Sequence, residues 1–294
     1  MLVIYICYKY YYKKGNGKRY KWSMWEIKEK LSERTFIETR RKKGGNILKS
    51  FAITDMGIKR RTNQDYVFAS DEAVGNLPNL YIVADGMGGH KAGDFASKYT
   101  VGAFIDTVRN SREDNPISII DEAVTAANLA LIEKASENVE MKGMGTTLVV
   151  ATVIGDSIYI ANVGDSRLYL INDEIHQITR DHSLVAEMVN MGELDKQSAR
   201  THEKKNIITR AVGADLELVA DFFEIEYSNG DIILMCSDGL SNMIEDGDIK
   251  DIVNQGNEIS ATAHKLIETA NNNGGKDNIA VVLVQPDYDE VDLC

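Results

Sequence analysis

From Phe51 onward the sequence predicts one α+β domain in which antiparallel sheets are layered with helices. Three observations carry this. Runs rich in apolar and β-branched residues recur at short intervals, as the strands of a sheet do. The long segments of helical period are bunched instead of alternating strictly with strands, which disfavours a doubly wound parallel sheet. Neither an internal repeat nor an interdomain linker divides the stretch, which is long enough to bury a substantial core.

The expected strands cover 51–54, 80–84, 146–153, 157–163, 167–171, 218–226, 231–236 and 279–284. Two helices, about 92–110 and 117–138, fall between the early strands, and Pro116 suits the first turn of the second. A third helix, about 258–272, runs into Asn271-Asn272-Asn273-Gly274-Gly275, a strong C-terminal stop. Only three prolines occur, so the turns rely on Gly, Asn and Asp. Residues 24–39 could form a short charged helix, although no apolar stripe supports it.

A formal net charge of −12, from 33 Lys and Arg against 45 Asp and Glu, argues against nucleic acid as the main partner. Cys7, Cys236 and Cys294 lie far apart with no CxxC, which excludes a disulfide framework or thiolate zinc site and places the chain in the cytoplasm. The apolar run at 2–8 is too short to span a bilayer and lacks the flanks of a secretory signal, so no membrane span is expected.

The charge is uneven. Residues 1–50 hold 14 Lys and Arg and 4 Glu, leaving 19 basic and 41 acidic residues for the rest. Three readings of this leader stay open: a basic arm for anionic lipid or nucleic acid, a solvated disordered segment, or a stretch upstream of the true start. The third rests on Lys43-Gly44-Gly45-Asn46, which back-translates to a purine-rich run resembling a ribosome-binding site, with Leu48 as initiator. The expected layout is a basic leader over 1–47, a catalytic domain over 48–286 and a short acidic tail over 287–294.

The chain has no GxxxxGK[ST], no GxGxxG after a strand, no GxSxG and no HExxH. What stands out is aspartate at strand ends: Asp85-Gly86, Gly164-Asp165, Ser237-Asp238-Gly239 and Lys276-Asp277-Asn278. One Asp-Gly is more often a turn. Four aspartates abutting apolar strands suggest carboxylates converging at one rim, where only cations would offset their repulsion. Oxygen ligands of this kind select Mg²⁺ or Mn²⁺ over zinc.

Taken together, the segments resemble the metal-dependent type 2C serine/threonine protein phosphatases. Gly57-Ile58-Lys59-Arg60-Arg61-Thr62-Asn63-Gln64-Asp65 is similar to the family's GxxRxxN[EQ]D, Asp85-Gly86-Met87-Gly88-Gly89 to its DGMGG turn, and Gly145-Thr146-Thr147 to its GTT strand. Gly164-Asp165-Ser166-Arg167, Ser237-Asp238-Gly239-Leu240 and Gly275-Lys276-Asp277-Asn278 resemble the remaining signatures in order. The likeness spans about 51–284 and is greatest to the compact bacterial branch.

This resemblance implies a four-layer α-β-β-α sandwich of two antiparallel sheets flanked by helices, with two Mn²⁺ or Mg²⁺ ions at one edge. By motif match, Asp85 bridges both metals and the Gly86 carbonyl binds one. Asp238 and Asp277 hold the other, Asp65 acts through water, and Asp165 with Asp238 matches a third-metal position. Arg60 grips the substrate phosphate and Asn278 orients Asp277, while Arg167 is structural. A metal-bridged hydroxide would hydrolyse phosphoserine and phosphothreonine in proteins. Many eukaryotic relatives carry His after the DG pair, but here that position is Met87, so His90 or water is left as the proton donor. His182 and His202 fall in 181–213, which resembles the family's flap, and His176 and His264 read as surface or packing residues. The implied partners are phosphoproteins and a cognate serine/threonine kinase, with the chain acting as a monomer. A catalytically silent phosphatase-like binding module is the alternative.

Overall fold

The computed structural model describes residues 4–7, 10–15, 18–22, 47–89 and 92–287. In chain order the first elements are β1 (Ile4–Cys7), β2 (Tyr10–Gly15), β3 (Lys18–Trp22), β4 (Ile47–Asp55), β5 (Asp65–Ser70) and β6 (Leu80–Met87). Helices α1 (Ala92–Asn110) and α2 (Pro116–Glu137) follow, then β7 (Gly145–Thr146), β8 (Leu148–Ile154), β9 (Ser157–Val163), β10 (Arg167–Ile171) and β11 (Ile175–Gln177). Two short helices come next, α3 (Leu184–Asn190) and α4 (Lys196–Thr201), before β12 (Asp221–Glu226) and β13 (Ile232–Cys236). The chain closes with α5 (Asp238–Ser241), α6 (Asp246–Val253), α7 (Ile259–Asn272) and β14 (Ile279–Asp287).

Alternation along the strands builds the layers. On β6, Leu80, Ile82 and Ala84 pack among residues of α1 and α2, while Tyr81 and Val83 point into the space between the sheets. On β13 and β14, Ile233, Met235, Val282 and Val284 meet that same inter-sheet core, and Leu234, Cys236, Val281 and Leu283 turn toward α6 and α7. Three apolar cores thus separate four layers, the expected α-β-β-α sandwich. One sheet runs β3-β2-β1-β12-β9-β8-β6-β5 with β7 attached to β6, the other β11-β10-β13-β14-β4. The pairings are antiparallel.

Local signals account for the long helices. Asn115 caps α2 by accepting from Ile117 N and Ser118 N at 2.9 and 3.2 Å, with Pro116 in the first turn. Beyond α7, Gly275 at φ +48° returns its N–H to Ala270 O at 3.1 Å. No helix among the described residues is long and apolar enough to cross a membrane.

Several boundaries differ from expectation. The strand expected over 146–153 is interrupted at Thr147, whose N–H leaves the strand ladder to donate to Asp85 O at 2.8 Å. β12 starts at Asp221, because residues 218–220 lie outside the pairing with β9. β5, β11 and helices α3 to α6 were not expected. β14 runs to Asp287, opposite Ile47, so the strand pair extends one residue past each expected edge of the domain. Within the leader, β1 pairs with β12 and continues through β2 to β3, so these segments extend the sheet. The helix considered at 24–39 lies outside the described residues.

Candidate metal centre and active site

The fold brings the aspartates to one end of the sandwich. Asp65 opens β5 and Asp85 lies near the end of β6, and the two are direct cross-strand partners. Asp238 opens α5 where β13 ends, Asp277 precedes β14, and Asp165 occupies the turn between β9 and β10.

Three of the carboxylates are held by hydrogen bonds from neighbouring residues. Asp65 is 4% exposed, and its Oδ2 accepts from Ser237 Oγ at 2.6 Å. Asp238 Oδ2 accepts from Asn242 Nδ2 at 2.8 Å. Asp277 Oδ1 accepts from Asn278 N at 2.8 Å and its Oδ2 from Arg60 Nη2 at 2.7 Å. The Asp85 backbone is clamped to β7–β8: its N–H donates to Thr147 Oγ1 at 2.9 Å, and its carbonyl accepts from Thr147 N and Thr146 Oγ1, both at 2.8 Å. Gly86 is required beside it, because a Cβ there would stand 1.9 Å from Gly93 O in the first turn of α1.

Burial and mutual repulsion push four of the carboxyls, those of Asp65, Asp85, Asp165 and Asp238, above their ordinary range. Desolvation, then the charges of Asp238 and Asp277, raises Asp65 to about 7 against the pull of Ser237. Asp165 rises to about 8 through burial and repulsion from Asp238 and Asp181. Asp238 rises to about 6 through burial and Asp277, offset by Lys205, Arg167 and Arg60. Asp85, buried and facing Asp65, Asp238, Asp165 and Asp277, is raised well above its usual value. Such a set is an unstable way to place five anions unless positive charge enters it.

The donor set fits hard divalent cations. Asp65 Oδ1 and Asp238 Oδ1 are both buried with no hydrogen-bond partner, leaving oxygen lone pairs directed into the cluster. Among the described residues no group of three or more acidic, His or Cys side chains is drawn together closely enough to hold a metal ion as it stands. Cys236 does not compete, since burial pushes its thiol up to about 12.

The match of chain to family is direct. A family model described as protein phosphatase 2C matches residues 58–283. The chain belongs to the protein phosphatase 2C family. It is 39% identical over 239 residues to a serine/threonine phosphatase stp of Listeria welshimeri, covering 79% of this chain and 93% of that one. It is 38% identical over 251 residues to the protein phosphatase PhpP of Streptococcus pneumoniae, covering 82% and 98%. The crystal structure of serine/threonine phosphatase Stp1 from Staphylococcus aureus superposes at a TM-score of 0.77, with 35% identity over 85% of this chain and 99% of that one. A PstP catalytic domain solved in complex with two manganese ions superposes at 0.73, with 34% identity over 83% and 100%.

Arg60 reaches the cluster, where it is paired with Asp277. The Asn278 side chain does not touch Asp277: its Oδ1 accepts from Gln64 N and its Nδ2 donates to Met56 O and Thr62 O, each at 2.9 Å. Asn278 therefore braces the loop carrying Arg60, and only its backbone N–H orients Asp277. Arg167 binds both oxygens of Asp181 and the Tyr169 hydroxyl, a structural role. His90 lies outside the described residues. His182 is buried, accepting from Gly164 N at 3.0 Å through Nδ1 and facing Asp221 at 3.2 Å through Nε2. His176 is exposed on β11, His264 packs against Phe51, and His202 is the C-cap of α4, its N–H donating to Ala199 O while its Nδ1 accepts from Lys204 N.

Residues that motif reading missed are Ser237, which anchors Asp65, and Asn242, which anchors Asp238. Lys205 is another, since its charge reaches Asp238 from the flap. A cleft of about 780 Å³ opens beside Asp165 and Asp238 and runs beneath α3 and α4. Arg200 of α4 bonds Ser241 O at 3.0 Å and Glu245 at 3.0 Å, tying that flap to the corner between α5 and α6.

Proposed function

We propose that Asp65, Asp85, the Gly86 carbonyl, Asp238 and Asp277 hold two divalent cations, Mn²⁺ or Mg²⁺, with Asp165 and Asp238 framing a third position. On this site the chain hydrolyses phosphoserine and phosphothreonine in proteins. The single observation that carries the assignment is the gathering of five carboxylates within electrostatic reach of one another, two of them with orphaned buried oxygens and one paired with the arginine of the GxxRxxN motif. The silent-module alternative loses its support, because Asp85, Asp238 and Asp277 are all retained and gathered together.

Bound divalent cations supply the positive charge that lets water attack a phosphomonoester dianion in line. The chain's own residues set the geometry around that step. Arg60 presents a planar fork of donors to the non-bridging phosphate oxygens, and it is 46% exposed, with room to turn from Asp277 to substrate. Asn278 and Gly275 fix the loop on which Arg60 rides. The Asp85 backbone is held by Thr146 and Thr147, which fixes the point from which its side chain enters the site. Met87 offers no proton to the leaving alkoxide, and His182 is committed to Gly164 and Asp221. Solvent in the open cleft supplies that proton.

In the same reading the protein acts as a cytoplasmic monomer that reverses a cognate serine/threonine kinase. Hydrolysis of p-nitrophenyl phosphate with Mn²⁺, with Mg²⁺ and with EDTA tests the chemistry, and the absence of any metal-dependent turnover refutes it. Asp238→Ala should abolish turnover with circular dichroism unchanged. Phosphoproteomics of a deletion strain tests the kinase pairing, which fails if no phosphosite rises.

A further inference from the structure

We propose that Lys59, Arg61 and Lys276 form a basic rim that recognises acidic residues flanking the phosphorylated serine or threonine, an inference that rests on the phosphatase reading. All three are exposed. None makes an ion pair among the described residues, a property they share with other surface cations such as Lys142 and Lys250; what sets them apart is their place beside the Arg60–Asp277 pair. In a chain whose residues beyond 50 hold 41 acidic and 19 basic side chains, three unpaired cations at one place are available for a ligand.

Their place is fixed. Ile58 N and Lys59 N both donate to Gly275 O, at 2.8 and 3.0 Å, which ties the 57–62 loop to the segment carrying Lys276. Gly57 sits at φ +74°, and a Cβ there would meet Asp277 O at 2.1 Å, so the two segments are in backbone contact. Asn278 holds the loop at both ends through Met56 O and Thr62 O. Lys59 and Arg61 are thus the chain neighbours of Arg60, and Lys276 is the neighbour of Asp277, in two segments that meet at that pair.

An extended peptide advances about 3.3 Å per residue. Carboxylates one to three residues from the phosphorylated side chain therefore stay within about one Debye length of the rim. Without the rim, the acidic surface of this domain would repel such a substrate. Three cations are fewer than the four to eight typical of anionic-lipid clusters, which favours a peptide over a membrane. Exposed pairs are individually weak, about 1.7-fold each, so the three together give about a five-fold preference that salt removes.

The test compares two phosphothreonine peptides, one with Glu at the three positions on each side and one with Gln there. Both are assayed with the Mn²⁺-loaded full chain at about 50 mM and about 500 mM salt, where screening lengths differ several-fold. The acidic peptide should show about five-fold higher kcat/KM at low salt and parity at high salt. Lys59→Gln/Arg61→Gln/Lys276→Gln should erase the preference. p-Nitrophenyl phosphate, which has no flanks, reports whether the centre itself works, so failure of the phosphatase reading is distinguished from failure of the rim. Peptide binding by fluorescence anisotropy gives the same comparison without turnover. Equal kcat/KM and equal binding for the two peptides, a preference that survives the triple substitution, or capture by phosphatidylglycerol vesicles without any acidic-peptide preference each overturns the proposal.

Discussion

Replacing Asp65 by Asn should make the metal-free protein more stable and the enzyme worse. Asp65 is 4% exposed, faces Asp85 in register and is repelled by Asp238 and Asp277. Its carboxyl is raised from 3.8 to about 7, chiefly by burial. The sign follows from which state binds the proton: below about pH 4 the group is protonated folded or unfolded, and no cost arises. As pH rises toward 7 the unfolded chain ionises first, so the folded state loses stability, and the loss is complete above about 7. At about 1.4 kcal/mol per pH unit, that interval is worth about 4 kcal/mol. Burying the Asn amide takes back part of it, and about 2 kcal/mol should survive, or about 4–8 °C in Tm. Thermal unfolding of Asp65→Asn and wild type in EDTA at pH 4 to 8 measures this. Asp65→Asn should melt below wild type at pH 4, where only the amide burial cost acts, cross it as pH rises, and exceed it most above about pH 7. Saturating Mn²⁺ should reverse the order, since free metal at a hundred times its Kd adds about 2.7 kcal/mol to whichever protein binds it. A Tm difference that does not change with pH, or a wild type that is the more stable protein at pH 8 in EDTA, refutes the reasoning.

Gly86→Ala places a Cβ 1.9 Å from Gly93 O and should cost about 3 kcal/mol, whereas Gly102→Ala in α1 meets nothing within 4 Å and should gain up to about 1 kcal/mol; denaturant midpoints decide both. Asp221→Ala leaves Arg210 and His182 without their shared carboxylate and should cost about 3 kcal/mol, read in the same way; an unchanged midpoint denies that this triad anchors the flap. Arg60→Ala should raise KM for a phosphopeptide about ten-fold, with kcat changed less, and an unchanged KM counts against phosphate contact.

Much of the fold was legible because the strands state their period openly. β6, β8, β9, β13 and β14 carry unbroken apolar runs, and strands buried on both faces read that way. β5 was missed because Asp65-Tyr66-Val67-Phe68-Ala69-Ser70 is half-buried at a sheet edge and opens on the aspartate that belongs to the site. The flap helices were missed because two turns or fewer cannot display an apolar stripe: α4 is Lys-Gln-Ser-Ala-Arg-Thr. Their caps were the available signal, since Ser183 accepts from Ala186 N and Asp195 from Gln197 N and Ser198 N.

The aspartates were legible for a different reason than their supports. Asp85, Asp165, Asp238 and Asp277 announce themselves by following or preceding apolar strands, a one-dimensional pattern. Ser237 on Asp65 and Arg60 on Asp277 join residues 172 and 217 positions apart, and such contacts follow only from sheet order and register. The same register makes the cluster costly: β5 opposite β6 forces Asp65 against Asp85, and neither strand can slip by one residue without turning its apolar side chains out of the core. The sandwich therefore holds the carboxylates together against their repulsion, and packing in the two cores that flank this sheet supplies the stability that the site removes. Substitutions that weaken those cores should accordingly be tolerated better when metal is present than when it is withheld.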